Sequence, residues 1–222
     1  MTPNREDYLK LILELGGDQQ KINNKQIVAG LSVSAASVSE MLSKLVKEGL
    51  VAHTAYQGVQ LTEAGLVSAS DLLRKHRLWE VFLVEHLNYT WNEVHDDAEV
   101  LEHVTSEKLV QSLADYLGDP KQCPHGGVIP SAQEKVQEIN RLTLAEYEVG
   151  DNIRIARVLD EKELLDYLVS LGIQIGDCYT IENKGAYEGP ITITNQKQSC
   201  SVSHKAAMTI FVDQIKGDEN NG

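Results

Sequence analysis

The feature that most constrains this chain is the punctuated pattern of its first 62 residues. Thr2-Pro3 supplies an N-cap and a first helical position. Tyr8, Leu11, Ile12 and Leu15 then recur at helical spacing until Gly16-Gly17 break the run. Asn23 and Asn24 can cap a second short helix carrying Ile27, Val28 and Leu31. Ser32-Val33-Ser34 leaves room only for a tight connection before a third helix, from about Ala35 to Glu48, whose apolar positions are Val38, Met41, Leu42, Leu45 and Val46. Gly49 stops it. Two extended runs, Leu50 to Tyr56 and Val59 to Thr62, flank Gln57-Gly58, which is a hairpin signal. Short helices, a tight turn and a hairpin together specify a winged helix-turn-helix.

The rest of the chain is helical first and extended later. A helix of about 25 residues runs from Thr62 to Leu87. Thr90-Trp91-Asn92-Glu93 has the capping-box pattern and predicts a helix over 92–104. Ser106 to Leu117 is amphipathic and closes at Gly118 and Pro120. The segment Lys121 to Ser131, with Pro124, Gly126, Gly127 and Pro130, reads as a loop and a linker. Beyond Leu142, alternating residues 152–158, a helix over 161–171 and short runs at 179–181, 190–194 and 208–212 predict a small β-barrel. The expected fold class is therefore mainly α with small β. Its expected parts are a winged-helix domain over 1–63, a helical domain over 64–142, a barrel over 143–216 and a disordered tail over 217–222.

The net charge of −13 argues against nucleic acid only until it is located. Residues 1–62 hold six basic and six acidic side chains, so the excess of negative charge lies wholly in residues 63–222. A neutral head can approach phosphates while an acidic body attracts cations. Cys123, Cys178 and Cys200 are widely spaced with no CxxC pair, which fits a reducing compartment. No apolar run is long enough for a membrane helix, and the chain is expected to be cytoplasmic. HExxH, P-loop, GxSxG and dinucleotide fingerprints are absent from the sequence, so the expectation is not an enzyme.

Candidate chemistry lies on the middle helices. His95, Glu99, Glu102 and His103 fall at offsets 0, 4, 7 and 8, an arc of about 100° on one helix face. Two oxygens and an imidazole on that stripe are a plausible half of a coordination sphere, whereas a solvated acidic face is the plain alternative. His76 and Glu80 stand four apart and share a face, as an ordinary surface pair also would. Glu6-Asp7, in the first turn of the first helix, complements its dipole.

Taken together these fragments resemble a family. Glu6-Asp7-Tyr8-Leu9, the run Val38 to Leu45, Gly49-Leu50-Val51, Leu61-Thr62-Glu63-Ala64-Gly65, Arg74-Lys75-His76 and Asp97 to His103 are similar to the metalloregulators of the diphtheria toxin repressor and manganese transport regulator (DtxR/MntR) family. The likeness runs into a C-terminal FeoA/SH3-like domain, as in the manganese-dependent ScaR- and SloR-type repressors. It implies a main metal site of Asp7, His76, Glu99, Glu102 and His103, and a second site of Glu80, Cys123, His125 and Asp160. The implied ion is Mn²⁺ or Fe²⁺, with Zn²⁺ or Cd²⁺ able to occupy the sites in vitro. Where iron-sensing relatives have a cysteine this chain has Glu99, and an oxygen- and imidazole-only set suits manganese. One departure stands out: the manganese regulator pattern expects a carboxylate three residues after Asp7, and Lys10 is there instead, which favours a single ion. His95 beside His76 and Glu80 is a further arrangement that the resemblance leaves open, and Cys123 read alone is equally a structural thiol.

The implied function is a Mn²⁺-dependent repressor that binds operator DNA as a homodimer and controls metal uptake. Recognition helices present their N-terminal residues to base edges. Candidate contacts are therefore Ser34, Ala35, Ala36, Ser37, Ser39 and Lys44, with Lys25, Lys44, Lys47 and, on the wing, Gln57 toward phosphates. Leu109, Val110, Leu113, Tyr116 and Leu117, with the face from Leu78 to Leu87, are expected to form the two-fold interface. A metal-independent winged-helix regulator and a metal-dependent hydrolase are the alternatives.

Overall fold

The computed structural model describes residues 2–31, 33–136 and 142–215. The expected tail at 217–222 falls outside them. Two compact units emerge, Met1–Trp79 with Ala98–Asp119 and Ile129–Gln137, and Glu80–Asp97 with Pro120–Val128 and Glu138–Gly222.

The first unit begins with three helices, α1 (Pro3–Glu14), α2 (Asn24–Leu31) and α3 (Ala35–Lys47), followed by the antiparallel hairpin β1 (Val51–Thr54) and β2 (Gly58–Leu61). Tyr8, Leu9, Ile12, Ile27, Val38, Leu42 and Leu45 turn inward from the helices and meet Val51, Val59 and Leu61 of the hairpin. Ile22, before α2, bridges Val59 through two backbone hydrogen bonds of 2.7 and 2.9 Å, so the hairpin is tied to the helices as well as packed on them. That bridge requires a glycine next to it. A Cβ on Gly58 would meet the Ile22 carbonyl oxygen at 2.2 Å, and Gly58 sits at φ +115°. The helical half of the unit comes from α4 (Glu63–Leu87), α5 (His95–Val104) and α6 (Glu107–Tyr116). Two of these, α4 and α5, also supply residues to the second unit. Ser106 caps α6 by accepting from the Leu109 amide at 3.2 Å.

The expectation for α5 is corrected by a turn. The Thr90 amide and hydroxyl both donate to Glu93 Oε2, and the Glu93 amide donates to the Thr90 carbonyl, but these bonds close a turn over 91–93, and the helix starts at His95. The stripe from His95 to His103 is intact because all of it lies within the shortened helix.

In the second unit β3 (Asn152–Val158), α7 (Lys162–Leu171), β4 (Cys178–Lys184), β5 (Ile191–Thr194), β6 (Ser199–Val202), α8 (His204–Ala207) and β7 (Ile210–Gln214) follow a 3-10 turn at Leu144–Glu146. The five strands form an antiparallel sheet in the order β6-β5-β4-β3-β7. Ile153, Ile155, Tyr179, Ile181, Ile191, Ile193, Val202, Ile210 and Val212 alternate inward and pack on Leu164, Leu165 and Leu168 of α7. β6 and α8 escaped the sequence reading because Ser-Cys-Ser-Val and four helical residues carry too little periodicity to announce themselves.

The segment read as a linker is the larger correction. Cys123, His125, Gly126, Gly127, Ile129 and Pro130 are buried. Gln122 bridges Val128, the Cys123 amide donates to the Gly127 carbonyl, and the Val158 amide at the end of β3 donates to the His125 carbonyl. A Cβ at Gly126 would lie 2.0 Å from the Ala156 carbonyl oxygen. Proline and glycine here shape a close-packed loop, not a spacer.

Candidate metal centres and nucleic-acid interface

The first cluster joins α1 to α4 and α5. Ligand atoms of Asp7, Glu102 and His103 lie within 4.8 Å of one another. Helical spacing puts Glu102 and His103 on neighbouring positions of α5, while α1 brings Asp7 across from them. His103 is held from its far side. Its Nδ1 donates to Glu6 Oε2 at 2.7 Å, so the ring directs Nε2 to Asp7 Oδ1 at 2.9 Å and to Glu102 Oε1 at 3.6 Å. Asp7 Oδ1 is buried, and no hydrogen bond reaches it among the described residues. An imidazole lone pair and a carboxylate oxygen at that separation repel unless a cation lies between them, either a proton on Nε2 or a metal ion. Asp7 is held above the usual carboxylate range, chiefly by burial; His103 pulls it down, Glu99 and Glu102 push it up, and Lys10 pulls it down.

Glu102 is the hub. It is buried on α5 and accepts both oxygens' worth of hydrogen bonds from Lys10 Nζ, at 3.1 and 2.9 Å. His76 Nδ1 stands 2.5 Å from Glu102 Oε2 and 3.1 Å from Lys10 Nζ; it can donate to the carboxylate or accept from the ammonium. Burial alone would lower the Lys10 pKa, but Glu102 above all, with Glu14 and Glu99, raises it overall. Glu99, half-buried one turn earlier, acts on this group through its charge. The predicted residues Asp7, Glu102 and His103 are thus together, with His76 against Glu102. Lys10 places one positive charge against Glu102 within this group. Glu6 was missed as more than a helix-dipole residue. Its partner is 97 positions away, and no spacing rule reports that.

The second cluster lies within the other unit. Ligand atoms of Glu80, Cys123 and His125, all three buried, lie within 4.8 Å of one another. His125 Nε2 donates to the Trp91 carbonyl at 2.6 Å, since a carbonyl can only accept, and this turns Nδ1 toward Glu80 Oε1 at 2.9 Å. Asp160, just past β3, is 3.8 Å from the same Nδ1 and pairs at 2.6 Å with His95 Nδ1. Burial opposes a charge on His125, yet the Glu80 charge, hydrogen bonds to Cys123 and Glu80, and Asp160 push its pKa up to about 12. The imidazolium fills electrostatically the place a metal would take. Both donor sets fit a divalent ion by chemistry, the first with oxygen and nitrogen alone and the second with a thiol added.

The candidate DNA contacts are all exposed, from Lys25 through Ser34, Ala35, Ala36, Ser37, Ser39, Lys44 and Lys47 to Gln57. Several have partners of their own. Ser34 is the N-cap of α3, accepting from the Ser37 amide at 3.1 Å. Ser39 donates to the Ala35 carbonyl at 2.9 Å, and Lys44 pairs with Glu40 at 2.8 Å. Lys21 donates to Gln57, placing on the wing a cation that the sequence reading left out, beside a fully exposed Tyr56. The expected interface residues divide. Leu78, Val110 and Leu113 are buried inside the protomer, whereas Leu109 and Tyr116 are exposed together with Val100 and Val104 of α5.

A winged helix whose first helix shares a carboxylate and imidazole cage with two helices behind it defines a DNA-binding protein responsive to a cation. Comparison with known proteins agrees. Residues 1–59 match the iron dependent repressor N-terminal DNA binding domain, residues 62–131 the iron dependent repressor metal binding and dimerisation domain, and residues 142–214 the FeoA domain. The solved structure of the manganese regulator SloR is 43% identical, covering 97% of this chain and 100% of its own, with a TM-score of 0.87. ScaR with bound Zn²⁺ is 41% identical over 95% of this chain and 99% of its own, also at 0.87. The diphtheria toxin repressor of Corynebacterium glutamicum is 26% identical over 98% of this chain and 99% of its own length. The chain belongs to the DtxR family of iron- and manganese-dependent repressors. No helix among the described residues is long and apolar enough to cross a membrane.

Proposed function

We propose that this protein is a Mn²⁺-dependent transcriptional repressor that binds operator DNA as a homodimer and controls metal-uptake genes. The observation that carries this reading is Asp7 Oδ1, a buried acceptor that faces His103 Nε2 at 2.9 Å with no hydrogen bond to it among the described residues. Asp7, Glu99, Glu102, His103 and His76 would hold the activating ion, and Glu80, Cys123, His125 and Asp160 a second one. Manganese is favoured over softer metals at the first cluster because no sulfur is among its donors. SloR is described as a manganese regulator, and ScaR as manganese-activated with Zn²⁺- and Cd²⁺-bound forms, which supports manganese here and the uptake of other divalent ions.

A bound ion would supply the positive charge that lets Asp7 and Glu102 face one another. The protein's part is to make that charge report on DNA. Asp7 belongs to α1, which packs directly on the wing and on α2, while Glu102 and His103 belong to α5. Drawing the three together fixes the angle of the recognition helix α3 relative to α5. Moving such an equilibrium from 1:99 to 99:1 takes about 5.5 kcal/mol of differential binding, within reach of several charged ligands on one divalent ion. Exposed Val100, Val104, Leu109 and Tyr116 form the apolar surface that would pair two copies.

The test is DNA binding to a promoter-fragment library, titrated with Mn²⁺, Fe²⁺, Zn²⁺ and Co²⁺. Metal-dependent capture of a defined sequence, strongest with Mn²⁺, is expected. Capture that ignores metal would leave a metal-independent winged-helix regulator as the reading.

A further inference from the structure

We infer that Glu40, on the recognition helix, reads a C·G base pair in the operator, its carboxylate accepting from the cytosine amino group while Lys44 donates to the paired guanine. This rests on the reading of the protein as a DNA-binding repressor and names a base pair that its operator must hold. At about 100° per residue, Val38, Leu42 and Leu45 of α3 fall on one side of the helix and are buried. Ala36, Glu40, Ser43 and Lys47 fall on the opposite side, and all four are exposed. Glu40 therefore stands near the middle of the face that would enter the major groove, one turn beyond Ala36, with its side chain 71% exposed. A carboxylate there meets a polyanion, which is costly unless its charge is balanced and a donor awaits it. Lys44, one turn later, supplies the balance. Its ammonium donates to Glu40 Oε1 at 2.8 Å, and no hydrogen bond reaches Oε2 among the described residues.

The groove edges decide which base pair suits these two side chains. The Lys44 contact holds Glu40 below the usual carboxylate range, so the carboxylate is ionised and can only accept. Guanine and thymine present acceptors at the major-groove edge and repel it, whereas cytosine and adenine each present one amino donor. Adenine sets its N7 acceptor next to that donor, against the second carboxylate oxygen. Cytosine has no acceptor of its own there. Across the pair, guanine offers O6 and N7 to the ammonium, and thymine only O4 beside a methyl group. A carboxylate and an ammonium one helical turn apart thus match C·G on both strands.

The experiment uses the full-length protein with Mn²⁺ and a pool of randomised duplex DNA. Retained fragments are sequenced, and their affinities are read by fluorescence anisotropy. The wild type should retain a sequence with a C·G pair at one fixed position of each half-site, and replacing that pair should weaken binding roughly tenfold. Glu40→Ala should accept all four base pairs equally at that position. Glu40→Gln, which both donates and accepts, should move the preference there to A·T through adenine N6 and N7. Preferences at every other position should stay as in the wild type, whereas a structural role for Glu40 would change affinity for all sequences alike. A wild-type selection with no C·G pair common to its half-sites overturns the proposal. So do Glu40→Ala and Glu40→Gln selections identical to that of the wild type, which would make Glu40 and Lys44 an ordinary surface pair. Should the wild type retain no defined sequence, the repressor reading falls and this one with it; should it retain one that both variants retain unchanged, only the role of Glu40 falls.

Discussion

The two buried clusters solve one electrostatic problem in different ways. In the first, Glu102 is neutralised by a lysine that belongs permanently to the site. In the second, Glu80 is neutralised by a proton on His125, whose pKa is pushed up to about 12 by Glu80, Cys123 and Asp160 against the cost of burial. A lysine stays when a metal arrives, whereas a proton must leave. On the proposed reading, an ion at the first cluster would be buffered by a fixed charge, and one at the second would compete directly with protons. Their donors differ in the same sense, since only the second offers a thiol.

Removing the hub should break the comparison most severely. Glu102→Ala strips the first cluster of its central carboxylate and leaves the Lys10 ammonium buried and uncompensated, a loss of about 3–5 kcal/mol. Chemical denaturation should show that destabilisation, and metal-dependent DNA binding should vanish. Wild-type stability would mean that Lys10 finds solvent. The second cluster should be milder. His125→Ala should remove one bound ion and lower metal-activated DNA affinity by roughly tenfold, since the second site would act on ordering alone.

Proton linkage separates the two sites further. His125 has a folded pKa far above its ordinary 6.5, so its charge stabilises the metal-free protein fully below about 6.5, and that stability is lost as pH rises toward about 12. At neutral pH a metal binding Nδ1 must displace this proton. Calorimetry in buffers of different ionisation enthalpy should register about two protons released per ion at the second site, one from His125 and one from the Cys123 thiol, and none from His125 in His125→Ala. Equal release in both would place the proton elsewhere.

Smaller effects sharpen the first cluster. Glu6→Gln keeps a hydrogen bond to His103 Nδ1 but loses the charge, and metal affinity there should fall by roughly tenfold, as for other carboxylates that orient a ligating histidine. Glu99→Cys should move the preference from Mn²⁺ toward Zn²⁺ or Co²⁺ in competition, and an unaltered ratio would remove Glu99 from the ligand set. Smallest of all, Lys25→Ala should weaken DNA binding uniformly and reduce its salt slope by about one.

Periodicity made the architecture legible. Helical spacing exposed α1, α3 and α4, and the Gln57-Gly58 hairpin announced the wing. It also put Glu102 and His103 on one face. Where it failed, the missing information was tertiary. Burial of the loop over 121–131 comes from its backbone pairing with β3, and no composition rule distinguishes a packed proline-glycine loop from a linker. Similarly, Lys10 reads as a gap in a ligand pattern, but its ammonium against both oxygens of Glu102 depends on a contact 92 residues apart. Glu6 was hidden in the same way, behind a local role at a helix start.

If an ion held between α1 and α5 controls DNA binding, loss of its ligands must uncouple the two. Fluorescence anisotropy of an operator fragment, titrated with Mn²⁺ in the wild type and in Asp7→Ala and His103→Ala, tests it most directly. DNA affinity should rise roughly a hundredfold or more with Mn²⁺ in the wild type, and almost not at all in either variant while both stay folded. An undiminished Mn²⁺ response in both variants would contradict it.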